Sequence, residues 1–141
     1  MQTRRGRNGS RVIDDSYNAN PGSVQAAVDA LASFPGRRLL VLGDMAELGR
    51  DSQRLHREVG AYAAARGIDA LYACGPLSAL AATAFGAGGH TFADKTALAQ
   101  ALLELLDPDT TVLVKGSRSA GMEDIAHQLD AGEDAGAALV K

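Results

Sequence analysis

The chain has 141 residues, 46% of them apolar, with three Tyr, three Phe, no Trp and a formal net charge of −3 at pH 7. That length suits one domain with a substantial core, and the slight negative charge leaves no electrostatic footprint for nucleic acid or an anionic membrane. There is no apolar run of about 18 residues and no secretory h-region, and the single cysteine, Cys74, rules out an internal disulfide, so a cytoplasmic location is expected.

Residues 2–5 are a candidate edge strand. The basic run Arg4, Arg5, Arg7 and Arg11 reads as a solvated edge in preference to a phosphate site. Val12-Ile13-Asp14-Asp15 is an apolar strand end that runs into Ser16-Tyr17-Asn18-Ala19. Asn20-Pro21 then opens a helix, because Asn is a favoured N-cap and Pro fits the first helical position. Val24, Ala27, Val28 and Leu31 repeat at helical spacing, and Phe34-Pro35-Gly36 is a strong stop. Arg38 to Gly43 is a continuous apolar run closed by Gly, the pattern of a buried parallel strand. Leu55, Val59, Tyr62 and Ala63 mark a second helix, in which His56 reads as a structural or surface histidine. Ala70 to Cys74 is another strand, with Cys74 a buried, inert thiol at its end.

A helix is expected over 76–85. Gly86-Ala87-Gly88-Gly89-His90 follows it and reads as a flexible loop, with Thr91-Phe92 a short strand beyond. Leu98, Ala101, Leu102 and Leu105 mark a further helix, Thr111 to Lys115 a further strand, and a last helix is expected from about 119 to 129. Residues 131–141 are rich in Gly, Ala and acidic residues and are expected to fray, leaving 1–130 as the domain. The alternation predicts an α/β fold: a Rossmann-like, doubly wound, mostly parallel sheet of about six strands with helices on both faces.

Three strand-to-helix turns carry the chemistry, at the strand ends where such sheets bind ligands. In the first, Asp15 can accept two hydroxyl hydrogen bonds, as a ribose diol requires, and Tyr17, Asn18 and Asn20 can stack on or bond to a base. On spacing alone the plainer reading is that Asp15 and Asn20 satisfy turn and helix N–H groups. In the second turn, Asp44 and Glu47 bring two carboxylates to the sheet edge, to bind an ammonium or simply to face water. In the third, Lys115 and Arg118 add charge beside Gly116, and Ser117 or Ser119 can cap a helix whose free N–H groups attract a carboxylate or phosphate. The competing reading is a capped helix with surface charges. No P-loop and no G-x-G-x-x-G follows a strand, and His56, His90 and His127 lack metal-ligand spacing.

The stretch VIDDSYNANPGS at 12–23, followed in order by LLVLGDMAELG at 39–49 and VLVKGSRSAGMED at 112–124, resembles the C-terminal domain of the Mur ligases, ATP-dependent amide-bond ligases of peptidoglycan synthesis. The best fit is to the member whose substrates are UDP-N-acetylmuramoyl-tripeptide and D-alanyl-D-alanine. The resemblance implies that Asp15 contacts the ATP ribose with Tyr17, Asn18 and Asn20 bordering the nucleotide. It implies that Asp44 and Glu47 border the site of the added amino donor and that Lys115, Ser117, Arg118 and Ser119 border a substrate carboxylate. It also implies a reaction in which ATP phosphorylates the tripeptide carboxyl, the dipeptide amine attacks the acyl phosphate, and phosphate leaves. The P-loop and magnesium ligands are expected in a central domain and the UDP-sugar site in an N-terminal one, so no catalytic or metal-binding residue is expected in this chain, which alone should be inactive. The family's hinge Gly-Arg is expected at or before Met1, and Gly6-Arg7 lies too near Asp15 to be equated with it. A free-standing α/β module that binds a nucleotide or anion without catalysis remains the alternative, and a folylpolyglutamate-synthetase-like domain fits the motifs less well.

Overall fold

A computed structural model describes residues 2–132. Its six strands are β1 (Gln2–Arg5), β2 (Arg11–Asp15), β3 (Arg37–Gly43), β4 (Ala70–Cys74), β5 (Gly89–Phe92) and β6 (Thr110–Lys115). Its helices are α1 (Pro21–Ala32), α2 (Ser52–Ala65), α3 (Ser78–Phe85), α4 (Lys95–Leu103) and α5 (Glu123–Leu129). The sheet order is β1-β2-β6-β3-β4-β5, with β1 antiparallel to β2 and all other pairs parallel. This is the expected doubly wound α/β architecture, with residues 2–5 as the extra edge strand.

Strand β3 explains why its sequence is apolar throughout. Leu40 and Leu42 point into a core with α1, α2 and α3, while Leu39 and Val41 point into a second core with α4 and α5. A strand covered on both faces has no solvated side to carry polar residues. Each fully buried Leu contributes about 1.5–3 kcal/mol, so these two layers hold the domain together despite its few aromatics.

Helix α1 starts where Asn20-Pro21 predicts. The Asn20 side chain accepts from Ser23 N at 2.8 Å while Asn20 N donates to Ser23 Oγ at 3.0 Å, a reciprocal capping box. Helices α2 and α3 approach closely at Gly60, where an added Cβ would lie 2.0 Å from the Ala81 carbonyl oxygen.

Three local expectations need correction. Strand β5 begins at Gly89, inside the stretch read as a flexible loop, because Leu71 N donates to Gly88 O and the chain there pairs with β4. The last helix begins at Glu123, not near 119; residues 118–120 form a 3-10 turn that Gly121 ends in the left-handed region. The basic run is more than a solvated edge. Arg4 pairs with Asp14 and Asp130 at 3.5 and 3.3 Å, Arg7 Nε donates to Gln128 O, and Arg11 donates to Thr111 Oγ1 and lies over the Phe34 ring. Of the tail expected to fray, residues 133–141 lie outside the described residues, whereas Ala131 N donates to Arg5 O at 3.0 Å.

Candidate functional site

Strand β6 lies between β2 and β3, so the turns that leave these three strands sit side by side. Helix α1 follows β2 on one face of the sheet and α5 follows β6 on the other. Adjacent connections that leave to opposite faces open a crevice at the carboxyl ends of the strands.

In the first turn Asp15 is the register partner of Lys115. The Lys115 ammonium donates to Asp15 Oδ2 at 3.0 Å and to the Asn18 carbonyl at 2.7 Å. The lysine is 2% exposed, while the Asp15 side chain retains 20%. Lys115 therefore braces the first turn from beneath and does not present a free cation. The neighbouring Asp14 accepts from Ser16 N and Oγ, which folds the turn back on itself. Tyr17 is left 72% exposed, the one large apolar side chain so placed among the described residues. The Arg118 guanidinium sits 5.4 Å from the centre of its ring. Asp15, Tyr17 and Arg118 line one hollow of about 380 Å³.

In the third turn, neither serine caps a helix. Ser117 Oγ and Ser119 Oγ bond each other at 3.0 Å, and α5 begins farther on without a side-chain cap. The N-terminus of α5 therefore does not lie at this turn. Ser117 N donates to the Asp44 carbonyl at 3.1 Å, which joins the third turn to the second.

In the second turn Asp44 turns its carboxylate toward α3, where Oδ1 accepts from Ser78 N at 2.7 Å and Oδ2 from Leu77 N at 3.4 Å. It thus satisfies N–H groups at the start of that helix. Glu47 is exposed with φ +61°, a left-handed conformation uncommon for a residue with a Cβ. A Cβ on Gly43 would strike Met122 at 2.6 Å, so only Gly lets the strand end pack against that side chain. Asn18, Glu47, Ser117, Arg118 and Ser119 line a hollow of about 390 Å³. A larger cleft of about 650 Å³ runs from Glu47 and Ser117 past Met122 to Cys74, Asp94 and Lys95.

Eight of the ten proposed site residues line these hollows, with Asp44 also committed to a helix start, while Lys115 lies beneath the first turn and lines none of them. Asn20 stands apart, since its side-chain oxygen is held in the capping box. The far end of the large cleft was missed. Cys74 and Asp94 follow β4 and β5, and the strand-end rule that singled out the other turns applies to them equally. Burial pushes the Cys74 thiol up, with Lys95 opposing and Asp94 and Asp44 adding to the shift, so it is no ready thiolate. Lys95 is held by Asp124 at 2.8 Å and by the Gly121 carbonyl at 3.1 Å. Among the described residues no three His, Cys, Asp or Glu side chains converge as a metal-binding group, and no helix is long and apolar enough to cross a membrane.

These features define a doubly wound α/β domain with a candidate site in the hollows at the switch point of its sheet. The chain belongs to the Mur ligase, glutamate ligase domain family, which matches residues 1–118. It is 52% identical over 120 residues to the UDP-N-acetylmuramoyl-tripeptide–D-alanyl-D-alanine ligase of Escherichia coli, covering 84% of this chain and 26% of that protein. The Haemophilus influenzae ligase of the same name is 40% identical over 124 residues, covering 84% of this chain and 27% of that protein. The chain thus spans about a quarter of the length of the curated relatives it matches. Among solved structures, the MurF ligase of Thermotoga maritima in complex with ADP superposes with a TM-score of 0.78 at 29% identity, covering 91% of this chain and 29% of that one. MurF of Acinetobacter baumannii gives 0.81 at 29% identity, covering 92% and 29%.

Proposed function

We propose that this domain forms the nucleotide-ribose and amino-donor walls of an ATP-dependent ligase that joins D-alanyl-D-alanine to UDP-N-acetylmuramoyl-tripeptide in peptidoglycan synthesis. The observation that carries the reading is the convergence of three turns at one crevice in a chain so similar to ligases of that name. The residues fit ATP: the carboxylate of Asp15, braced by Lys115 and 20% exposed, an exposed ring at Tyr17 and a cation at Arg118 share one hollow. When bound, ATP supplies the phosphoryl group that activates the tripeptide carboxyl, and magnesium would be held by residues of the family's central domain. Asp15 accepts hydrogen bonds from the ribose hydroxyls, and Tyr17 offers a face to the base. Glu47 attracts the ammonium of the donor dipeptide, and Arg118 with Ser117 and Ser119 faces a substrate carboxylate. These contacts orient the amine and help exclude water from the activated carboxyl. Turnover requires the other walls of the cleft, so the 141-residue chain alone is inactive. The reaction belongs in the cytoplasm, where ATP is held.

Burial of Lys115 weighs against a free-standing anion-binding module, since its ammonium is already engaged. The deciding experiment is an amide NMR titration with an ATP analogue and magnesium, then with D-alanyl-D-alanine. Shifts at 15–20 on nucleotide addition, and at 44–49 or 117–119 on dipeptide addition, are expected. Silence at those turns, both in this chain and in a chain supplied with the family's other two domains, would sink the reading.

A further inference from the structure

His56 is fully buried, and both of its ring nitrogens are engaged. Nδ1 lies 2.7 Å from the Ser52 carbonyl oxygen, which can only accept. Nε2 lies 2.9 Å from Met45 N, whose N–H can only donate. The two neighbours independently require the same neutral tautomer, with the proton on Nδ1 and a lone pair on Nε2. Met45 is itself 1% exposed, so its N–H would lose water and gain nothing if the imidazole were absent.

The consequence lies in the loop. There the Met45 N–H reaches across to α2, donating to His56 Nε2 at 2.9 Å. Two residues on, Glu47 holds a left-handed backbone conformation at the mouth of the large cleft. A non-Gly residue keeps such a conformation only where its surroundings dictate it. We propose that His56 is the positioning residue of the 44–49 loop: through the Met45 N–H it sets where Glu47 stands and so shapes the wall that receives the amino donor. The last clause rests on the reading of the cleft given above. His56 touches no substrate.

Two substitutions separate positioning from mere filling of space. His56→Gln can return an acceptor near the Nε2 position, whereas His56→Asn reaches only the Nδ1 position. Amide exchange at Met45 should be at least about tenfold faster in His56→Asn and close to wild type in His56→Gln, with Val59 and Leu113 unchanged as controls for folding. Affinity for D-alanyl-D-alanine should fall about tenfold in His56→Asn and recover in His56→Gln. Long-range nitrogen–proton spectra of the wild type should show Nδ1 protonated and Nε2 bare. Equal Met45 exchange in all three proteins, or a proton on Nε2, would overturn the tether whatever the cleft binds. Faster Met45 exchange with undiminished dipeptide affinity would keep the tether and overturn the donor assignment of the cleft.

Discussion

Lys115 and Asp15 face each other across the β2–β6 ladder, 3.0 Å apart, and the lysine reaches on to the Asn18 carbonyl at 2.7 Å. One buried ammonium thus supports both the carboxylate proposed to meet the ribose and the backbone of the same turn. Replacing it with an apolar chain of similar length leaves the Asn18 carbonyl without this donor and Asp15 without its cation. Lys115→Met should lower stability by about 2–4 kcal/mol, less than for a wholly buried pair because Asp15 keeps some water. Urea unfolding of the two proteins measures the difference.

The proposed role of Asp15 predicts a specific chemical preference. The wild-type chain, or the ligase containing it, should bind an ATP analogue more tightly than its 2′-deoxy counterpart, since the carboxylate loses one hydroxyl donor. Asp15→Asn should weaken ATP binding about tenfold to a hundredfold and largely erase that preference. Isothermal titration with the two nucleotides reads both effects. An unchanged preference would remove Asp15 from the ribose.

Tyr17 separates binding from folding most cleanly. Its ring is largely in water, touched by Arg118 on one side, so Tyr17→Ala should change stability by no more than about 0.5 kcal/mol. If a base stacks there, the same change should cost about 1–3 kcal/mol of nucleotide affinity, and Tyr17→Phe should retain most of it. Equal nucleotide affinity in the wild type and Tyr17→Ala would assign the ring another role.

What could be read from the chain follows from the range of the interactions involved. Helix α1 announces itself because its cap, Pro21 and its stop at Phe34-Pro35-Gly36 are local, and β3 because a strand buried on both faces has to be apolar throughout. The start of α5 was misplaced because Ser117 and Ser119 are good caps in isolation, yet each bonds the other while Gly121 breaks the chain before the helix. The burial of Lys115, expected to border a substrate carboxylate, is not legible because nothing near it in sequence reveals that Asp15, a hundred positions away, is its register partner. His56 could be read as structural, but its link to the Met45 amide depends on how α2 packs against the loop. The strand-end rule was applied to three turns and not to those after β4 and β5, which is why the Cys74–Lys95 end of the large cleft went unread.

Gly60 tests the packing of the layer under the site. A methyl group there would meet the Ala81 backbone carbonyl at 2.0 Å, and backbone cannot swing aside as a side-chain tip can. Gly60→Ala gains helix propensity of about 1 kcal/mol, yet the forced separation of α2 and α3 should outweigh it, for a net loss of about 1–3 kcal/mol. Thermal unfolding checks the sign, and a stabilised variant would mean that the helices can part freely.

The α1–α2 surface carries a clasp whose pH limits can be worked out from its three groups. The Asp29 carboxylate accepts from the Tyr62 hydroxyl and from Arg66 Nε, the latter at 2.8 Å. The Tyr62 hydrogen bond, then that of Arg66, holds the Asp29 carboxyl below its ordinary value of 3.8, while the bond to Asp29 holds the Tyr62 hydroxyl above 10.0. A depressed carboxyl contributes stability above its unfolded pKa and loses it as pH falls through the lower folded one. A raised phenol contributes below its unfolded pKa and loses it as pH rises through the higher folded one. The clasp is therefore whole between the two limits and weakens beyond each. Because all three groups face water, the effect should shrink in 1 M salt, where charges are screened within about 3 Å. Tyr62→Phe should abolish the alkaline limb and soften the acid one. Melting temperatures of both proteins across the two pH ranges, at low and high salt, decide it; an alkaline limb that survives in Tyr62→Phe would have to come from another group.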